Sequence, residues 1–346
     1  MAVLLTGCSA SDWERNLRFG WPTGATRQGT EMRVLWTWTG VTALALGIVV
    51  WGLIFWCCIR YRAGKRAEDY LPRQTKYNFW IELICFTFPF LVIAGLFYRT
   101  VVVEDNVDHL SKHPDVQVQV DAFKWNWQFE YHGYQGADGQ QHSTVYPNAK
   151  DVADAAGNTQ DRGNVTVTKQ TCDEASSNGS YNCGSTVGAN NASGALYLST
   201  VGSQNEVPVL VIPVGRTVRF VEHSEDVIHS FWVPDFLFKR DVIPYGTAST
   251  ARDNQFEITP THEGSFVGRC AELCGTYHSQ MNFEVRVVSE PTFEKYLTAL
   301  QKIGPTAPNR QSRALTAAGM APYATTTYPL QSSLTTRSQS LRPTGE

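Results

Sequence analysis

Two long apolar runs occupy the first hundred residues, and short alternating patterns follow them. Residues 34–59 (VLWTWTGVTALALGIVVWGLIFWCCI) carry no formal charge over 26 positions, more than the ~20 residues an apolar helix needs to cross a bilayer. A core helix of a soluble protein would show a polar face at this length, and this run has none. Residues 80–98 form a second run, interrupted only by Glu82 and bounded by Arg99. Aromatic residues gather near the ends of both, as they do where a helix meets the membrane interface. The pattern predicts two membrane-spanning helices.

Beyond a polar connector at residues 104–115, apolar residues recur at every second position. Val116, Val118 and Val120 share one strand face, whereas Trp125, Trp127, Phe129 and Tyr131 alternate in the opposite phase. That reversal predicts a bend or bulge at residues 121–124. Further strands are expected at residues 207–213, 217–223, 254–259, 265–269 and 282–288, with turns at Pro213-Val214-Gly215 and Glu263-Gly264. Short strands with no amphipathic helices between them predict a β-sandwich. Residues 290–302 predict a short amphipathic helix through Phe293, Tyr296, Leu297 and Leu300. Residues 133–204 are poor in aliphatics and rich in Gly, Asn, Ser, Thr, Ala and Asp, the composition of a long surface insertion. Residues 303–346 are equally poor in aliphatics, which predicts a disordered tail.

Charge sets the orientation. The linker at residues 60–79 holds six Lys and Arg against two acidic residues, a net of +4, and positive loops stay on the cytoplasmic side. Residues 8–33 and everything from residue 99 onward are therefore expected outside. Residues 99–300 contain 14 Lys and Arg against 25 Asp and Glu, a net of −11, which repels nucleic acid and attracts basic partners. Leu5-Thr6-Gly7-Cys8 matches a bacterial lipobox, so residues 1–7 read as part of a lipoprotein signal and Cys8 as the lipidated residue. A full signal also has a basic start and a longer apolar core, and the seven residues here lack both. Cys172 and Cys183 lie within the insertion, outside the membrane, and a disulfide is the favoured reading of that pair.

The chemistry concentrates in Cys270-Ala271-Glu272-Leu273-Cys274-Gly275-Thr276-Tyr277-His278-Ser279-Gln280-Met281, with His229 41 residues upstream of Cys270. A bare C-x3-C pair outside the cytoplasm reads equally well as a disulfide. Two thiols, two imidazoles and a thioether together are a soft donor set that favours copper, and zinc has no use for the thioether. Met281 is the only methionine between residues 33 and 319.

These residues, with the apolar hairpin before them, resemble subunit II of cytochrome c oxidase, the heme-copper terminal oxidase. The resemblance implies a two-helix transmembrane hairpin followed by an exported all-β cupredoxin-like Greek-key sandwich. It implies a dinuclear CuA centre in which Cys270 and Cys274 bridge two copper ions, His229 and His278 cap one each, Met281 binds weakly and Glu272 offers its backbone carbonyl. The Glu272 side chain would help hold a magnesium ion shared with subunit I. Quinol-oxidizing relatives have lost these copper ligands. Electrons would arrive from cytochrome c and pass to heme a of subunit I, where oxygen is reduced to water with proton pumping. The long insertion is similar to that of actinobacterial members, whose donor is the membrane-bound cytochrome c of a quinol:cytochrome c reductase.

Two further residues acquire roles only through the resemblance. Trp125 occupies the position that takes electrons from cytochrome c, although an aromatic residue on a strand reads by itself as packing. Glu82 stands seven residues before Pro89, the spacing of a glutamate that opens a proton channel into subunit I. A carboxylate in a span is costly and by default functional, but one so near the helix start can also reach headgroup water. Glu130, Glu225 and Asp226 are candidates for an acidic docking ring, and Cys57, Cys58 and Cys85 read as small apolar helix residues. The rival functions are a membrane-anchored copper chaperone and a nitrous oxide reductase. Eight histidines are too few for the second catalytic domain of the latter.

Overall fold

A computed structural model describes residues 21–62, 76–144, 197–203, 206–244, 254–305 and 307–327. The chain forms two compact units, one dominated by the helices and the other by the strands, which also takes in residues 23–29.

In the first unit, α1 (Arg27–Arg60) and α2 (Phe79–Asp108) both outrun their apolar segments, and the most apolar window of each has no buried residue. Helix α2 continues through part of the polar connector, because no Gly or Pro stops it before Pro114. Its start is capped by Asn78, whose Oδ1 accepts hydrogen bonds from Trp80 N and Ile81 N at 3.2 Å. Glu82 reciprocates: its Oε1 accepts from Asn78 N at 3.0 Å, in the manner of a capping box. Cys57, Cys58 and Cys85 are free thiols on exposed helix faces.

The second unit is a sandwich of two sheets. The first sheet orders β3 (Gln141–His142), β2 (Asn126–Gln135), β1 (Val116–Phe123), β6 (Val218–Ser224) and β9 (Gln255–Ile258), with β4 (Leu198–Val201) also paired to β2. The second orders β5 (Val209–Pro213), β11 (Asn282–Val288), β10 (Gly264–Cys270), β7 (His229–Val233) and β8 (Phe238–Val242). Each sheet contains one parallel pair, β1–β6 and β5–β11, so the chain crosses between sheets in Greek-key fashion, as the cupredoxin-like expectation required. The inward faces interlock through aromatic rings: Phe231 stacks on Phe283 at 4.7 Å, and Trp127 lies edge-on to Phe283 at 5.1 Å. Trp127, Phe129, Tyr131, Phe220 and Phe283 are fully buried. Helix α3 (Glu290–Ile303) adds Phe293, Tyr296 and Leu300 to this core.

Three sequence expectations need correction. The phase reversal after Val120 is a hairpin, not a bend: β1 and β2 pair from Val116↔Tyr134 to Phe123↔Asn126, with Lys124 and Trp125 as the turn, and the bulge lies at Gln117/Val118. The ends of the supposed insertion are structural, because β2 runs to Gln135 and Leu198, Ser199 and Thr200 of β4 are buried beside it. Residues 145–196 lie outside the described residues.

The tail is also ordered as far as residue 327. Helix α4 (Arg310–Ala317) buries Ala314 and Leu315. Its Gln311 Oε1 accepts from Val209 N at 2.8 Å, and Arg310 Nη1 donates to Ser199 O at 2.6 Å, sealing strand edges in both sheets. Further on, the buried Glu284 of β11 accepts from Thr325 N at 2.6 Å and Thr326 N at 2.7 Å. Arg286 donates to Glu284 at 2.7 Å and to the carbonyls of Ala321 and Tyr323. Polar residues of the tail thus satisfy sheet edges and a buried ion pair, which composition cannot reveal.

Candidate metal centre

Pairing in the second sheet gathers the donors before any metal is considered. Strand β10 ends at Cys270 and β11 begins one residue after Met281, and Cys270 N donates to Met281 O at 3.0 Å, closing the neck of the loop. Strand β7 lies on the other side of β10, in register Cys270↔Phe231, which brings His229 beside the loop. Ala271 N donates to Ser230 O at 3.1 Å and fixes that approach. Residues His278–Gln280 form a 3-10 turn that returns His278 and Met281 toward the sulfurs.

The side chains converge. Cys270 Sγ lies 3.8 Å from Cys274 Sγ, 3.9 Å from His229 Nδ1 and 3.2 Å from the Glu272 carbonyl oxygen. Cys274 Sγ lies 3.6 Å from His278 Nδ1 and 3.8 Å from Met281 Sδ. His229, Cys270, Cys274 and Met281 are buried, and His278 is half-buried. Both thiols are free, so the disulfide reading of this pair is not the one the chain adopts; bonded sulfurs would stand ~2.05 Å apart. Two metal–thiolate bonds of ~2.3 Å each can span 3.8 Å. Among the described residues, His229, Cys270 and Cys274 form the one cluster of His, Cys and carboxylate donors close enough to share a metal ion. With the thioether and carbonyl added, the donor set fits copper.

Local electrostatics prepare the same site. The neighbouring Cys274 sulfur, and after it the His229 imidazole, hold the Cys270 thiol well below the usual thiol range against the opposing effect of burial. The neighbouring Cys270 sulfur, aided by burial, pushes the Cys274 thiol up. Asp226 Oδ1 sits 2.8 Å from His229 Nε2, on the far side of the ring from the sulfurs. Burial alone would raise the Asp226 carboxyl, but bonds from His229 and from the backbone of Lys124 and Val227 outweigh it and lower it. For His229 burial works downward, and Asp226 and Cys270 overcome it to raise the imidazole. Asp226 therefore orients the ring so that Nδ1 faces the thiols, as carboxylates behind ligating histidines do.

Asp226 is thus not a docking acid, since its side chain is only 4% exposed. Glu130 is buried against His132 at 2.9 Å, and burial raises its carboxyl, so it leaves the proposed ring as well. Glu225 remains half-exposed, 3.5 Å from His223. The D-x-x-H spacing of Asp226 and His229 was the available signal for the orienting carboxylate.

Trp125, in the β1–β2 turn, meets the loop directly. Its Nε1 donates to Cys274 O at 3.2 Å. Gly275, at φ 116°, lies so close that a Cβ there would stand 3.3 Å from the indole, which explains the glycine. Trp127 Nε1 donates to Met281 O at 3.4 Å from beneath. Cys8, Cys172 and Cys183 lie outside the described residues.

Residues 195–288 match the family model for the periplasmic domain of cytochrome c oxidase subunit II. A probable cytochrome c oxidase subunit 2 of Nocardia farcinica is 43% identical over 344 residues, covering 97% of this chain and 87% of that protein. The chain belongs to the cytochrome c oxidase subunit 2 family. The subunit 2 of Mycobacterium tuberculosis is 40% identical over 349 residues, covering 95% of this chain and 85% of its own length. A crystal structure of the periplasmic domain of subunit II from Bradyrhizobium japonicum aligns over 56% of this chain and 98% of that one, at 21% identity and a TM-score of 0.31. As a member of this family, the protein is one component of a terminal oxidase, anchored in the membrane by two apolar helices with its sandwich exported. Its His, Cys, Cys and Met side chains form a copper-type site.

Proposed function

We propose that this subunit accepts electrons from cytochrome c at a dinuclear CuA centre and passes them to heme a of subunit I, where oxygen is reduced to water with proton pumping. The observation that carries the reading is the pairing of donors: each thiol has its own imidazole, Cys270 with His229 and Cys274 with His278, around sulfurs 3.8 Å apart. Copper bound there supplies a one-electron couple. The residues around it do the rest. Cys270 and Cys274 would hold the two copper ions between them, with His229 and His278 as further ligands and Met281 and the Glu272 carbonyl as weak ones. Asp226 keeps the His229 ring in place, and burial excludes water. The Glu272 side chain is assigned a magnesium ion at the contact with subunit I. A chaperone that must release a single copper ion gains nothing from a closed loop with two buried thiols, each paired with its own imidazole. A mixed-valence dinuclear paramagnetic spectrum supports the CuA reading, and a mononuclear one supports the chaperone.

Trp125 is assigned the uptake of electrons, because its N–H bonds to the carbonyl of Cys274. Trp125→Phe removes that donor and leaves every ligand in place. Reduction of the oxidase by ferrocytochrome c should slow by at least ~10-fold, the factor that ~1.4 kcal/mol of barrier represents, with the copper spectrum unchanged. Stopped-flow rates equal to those of the unaltered protein would return Trp125 to a packing role.

Glu82 is assigned the collection of cytoplasmic protons. Gln at this position can still accept the bond from Asn78 N, so Glu82→Gln tests ionisation apart from helix capping. Steady-state oxygen consumption should fall several-fold with heme and copper content intact, and Glu82→Asp should retain more activity. Full turnover in both variants would leave Glu82 as a cap alone. The reading also includes a lipid anchor at Cys8, a Cys172–Cys183 disulfide, and an insertion that docks on the membrane-bound cytochrome c of a reductase.

A further inference from the structure

Tyr277 lies in the ligand loop between Cys274 and His278, yet neither its ring nor its hydroxyl is needed to hold a metal. It is 42% exposed. Its ring stands edge-on against the indole of Trp125, with centroids 4.9 Å apart and planes at 88°. The indole therefore has three restraints from one loop: the hydrogen bond to Cys274 O at 3.2 Å, the close backbone of Gly275, and the Tyr277 ring. Trp125 itself sits in the two-residue turn between β1 and β2, where Asp226 holds the Lys124 backbone N–H at 2.8 Å. Remove the tyrosine ring and the indole keeps the hydrogen bond and the Gly275 contact but gains one open side.

We infer that Tyr277 is a positioning residue for electron uptake: it holds the Trp125 indole against the Cys274 carbonyl. The inference rests on the proposed role of Trp125. In the step concerned, ferrous cytochrome c is oxidised to the ferric form and the copper site is reduced by one electron; no bond forms or breaks and no proton moves. An edge-to-face pair shifts a rotamer equilibrium by about 2- to 12-fold. Tyr277 contributes by keeping the indole in the one orientation that joins the surface to Cys274.

The test uses the purified oxidase with Tyr277→Ala, Tyr277→Phe, Trp125→Phe and the double variant Trp125→Phe/Tyr277→Ala. Reduction is followed by stopped flow, once with ferrocytochrome c and once with hexaammineruthenium(II), a small reductant that needs no docking surface. Copper content and the paramagnetic spectrum are recorded for each. Tyr277→Ala should slow reduction by the cytochrome about 3- to 10-fold, leaving the ruthenium rate, copper content and spectrum unchanged. Tyr277→Phe keeps the ring and should restore the rate to within about 2-fold. The double variant should be no slower than Trp125→Phe alone, because the tyrosine acts through the indole. If Trp125→Phe slows reduction and Tyr277→Ala does not, the inference falls and the role of Trp125 stands. An unaffected Trp125→Phe overturns the role of Trp125 and the inference with it. A changed copper spectrum in Tyr277→Ala, or additive losses in the double variant, also overturns the inference.

Discussion

Cys270→Ser and Cys274→Ser proteins should fold and insert into the membrane, yet lose the dinuclear copper signature completely. Each sulfur is a donor shared across a 3.8 Å gap, with an imidazole of its own at 3.9 or 3.6 Å. A serine hydroxyl is a hard donor that stays protonated, so it cannot replace a soft thiolate. Substitutions merely behind a ligand reduce metal affinity or activity by 10–100-fold; loss of a bridging ligand should exceed that, and cytochrome-driven oxygen consumption should drop by more than ~100-fold. The serine is close in size to the cysteine it replaces, so the sandwich should survive. Metal analysis of the unaltered protein should give two coppers per chain, and paramagnetic resonance of the variants should show no mixed-valence pattern. One copper per chain, or zinc, in the unaltered protein would sink the CuA reading.

The second large effect is on stability and lies in β11, just after the copper loop. Glu284→Ala should destabilise the protein by about 3–5 kcal/mol, the range for removing one partner of a buried ion pair. Glu284 has no exposed surface, and Arg286 is 4% exposed. Without the carboxylate, the guanidinium keeps only the carbonyls of Ala321 and Tyr323. Thr325 and Thr326 lose the oxygen their backbone N–H groups share. Glu284→Leu/Arg286→Met should recover much of the loss, because apolar side chains of similar volume bury no orphaned charge. Chemical denaturation of the chain in detergent, followed by the far-ultraviolet signal, measures both variants. A loss under ~1 kcal/mol for Glu284→Ala would mean that residues 320–326 do not depend on this pair.

The sequence was most legible where one physical rule dominated. The two helices were visible because a bilayer demands an unbroken apolar run. Strands β10 and β11 were found within a residue of their ends, because Phe266, Phe283, Val285 and Val287 alternate toward a single core. The copper donors stood out because soft ligands seldom cluster by chance. What stayed hidden depended on partners distant in sequence. Strands β7 and β8 were missed: Ser230 is as buried as its apolar neighbours in β7, and four of five β8 residues are only half-buried or exposed, so neither shows a clean alternation. The Trp125 turn looked like a bulge because a hairpin and a bulge both reverse phase. The tail looked disordered because Gln311, Thr325 and Thr326 bury by bonding to the sheet, not by being apolar.

The neck of the ligand loop is closed by the hydrogen bond between Cys270 N and Met281 O, with the pair Arg269↔Asn282 next to it. Neither contact involves a metal. The eleven residues between the strands are thus a replaceable cassette whose anchorage belongs to the scaffold and which brings every donor except His229 and Cys270, themselves strand residues. Manufacture of the centre can accordingly proceed in two stages, with the sandwich finished first and copper delivered afterwards to a ready socket. By the same separation, descent with altered loop residues can erase the metal while sparing the architecture, so a shared sandwich alone never certifies a copper protein.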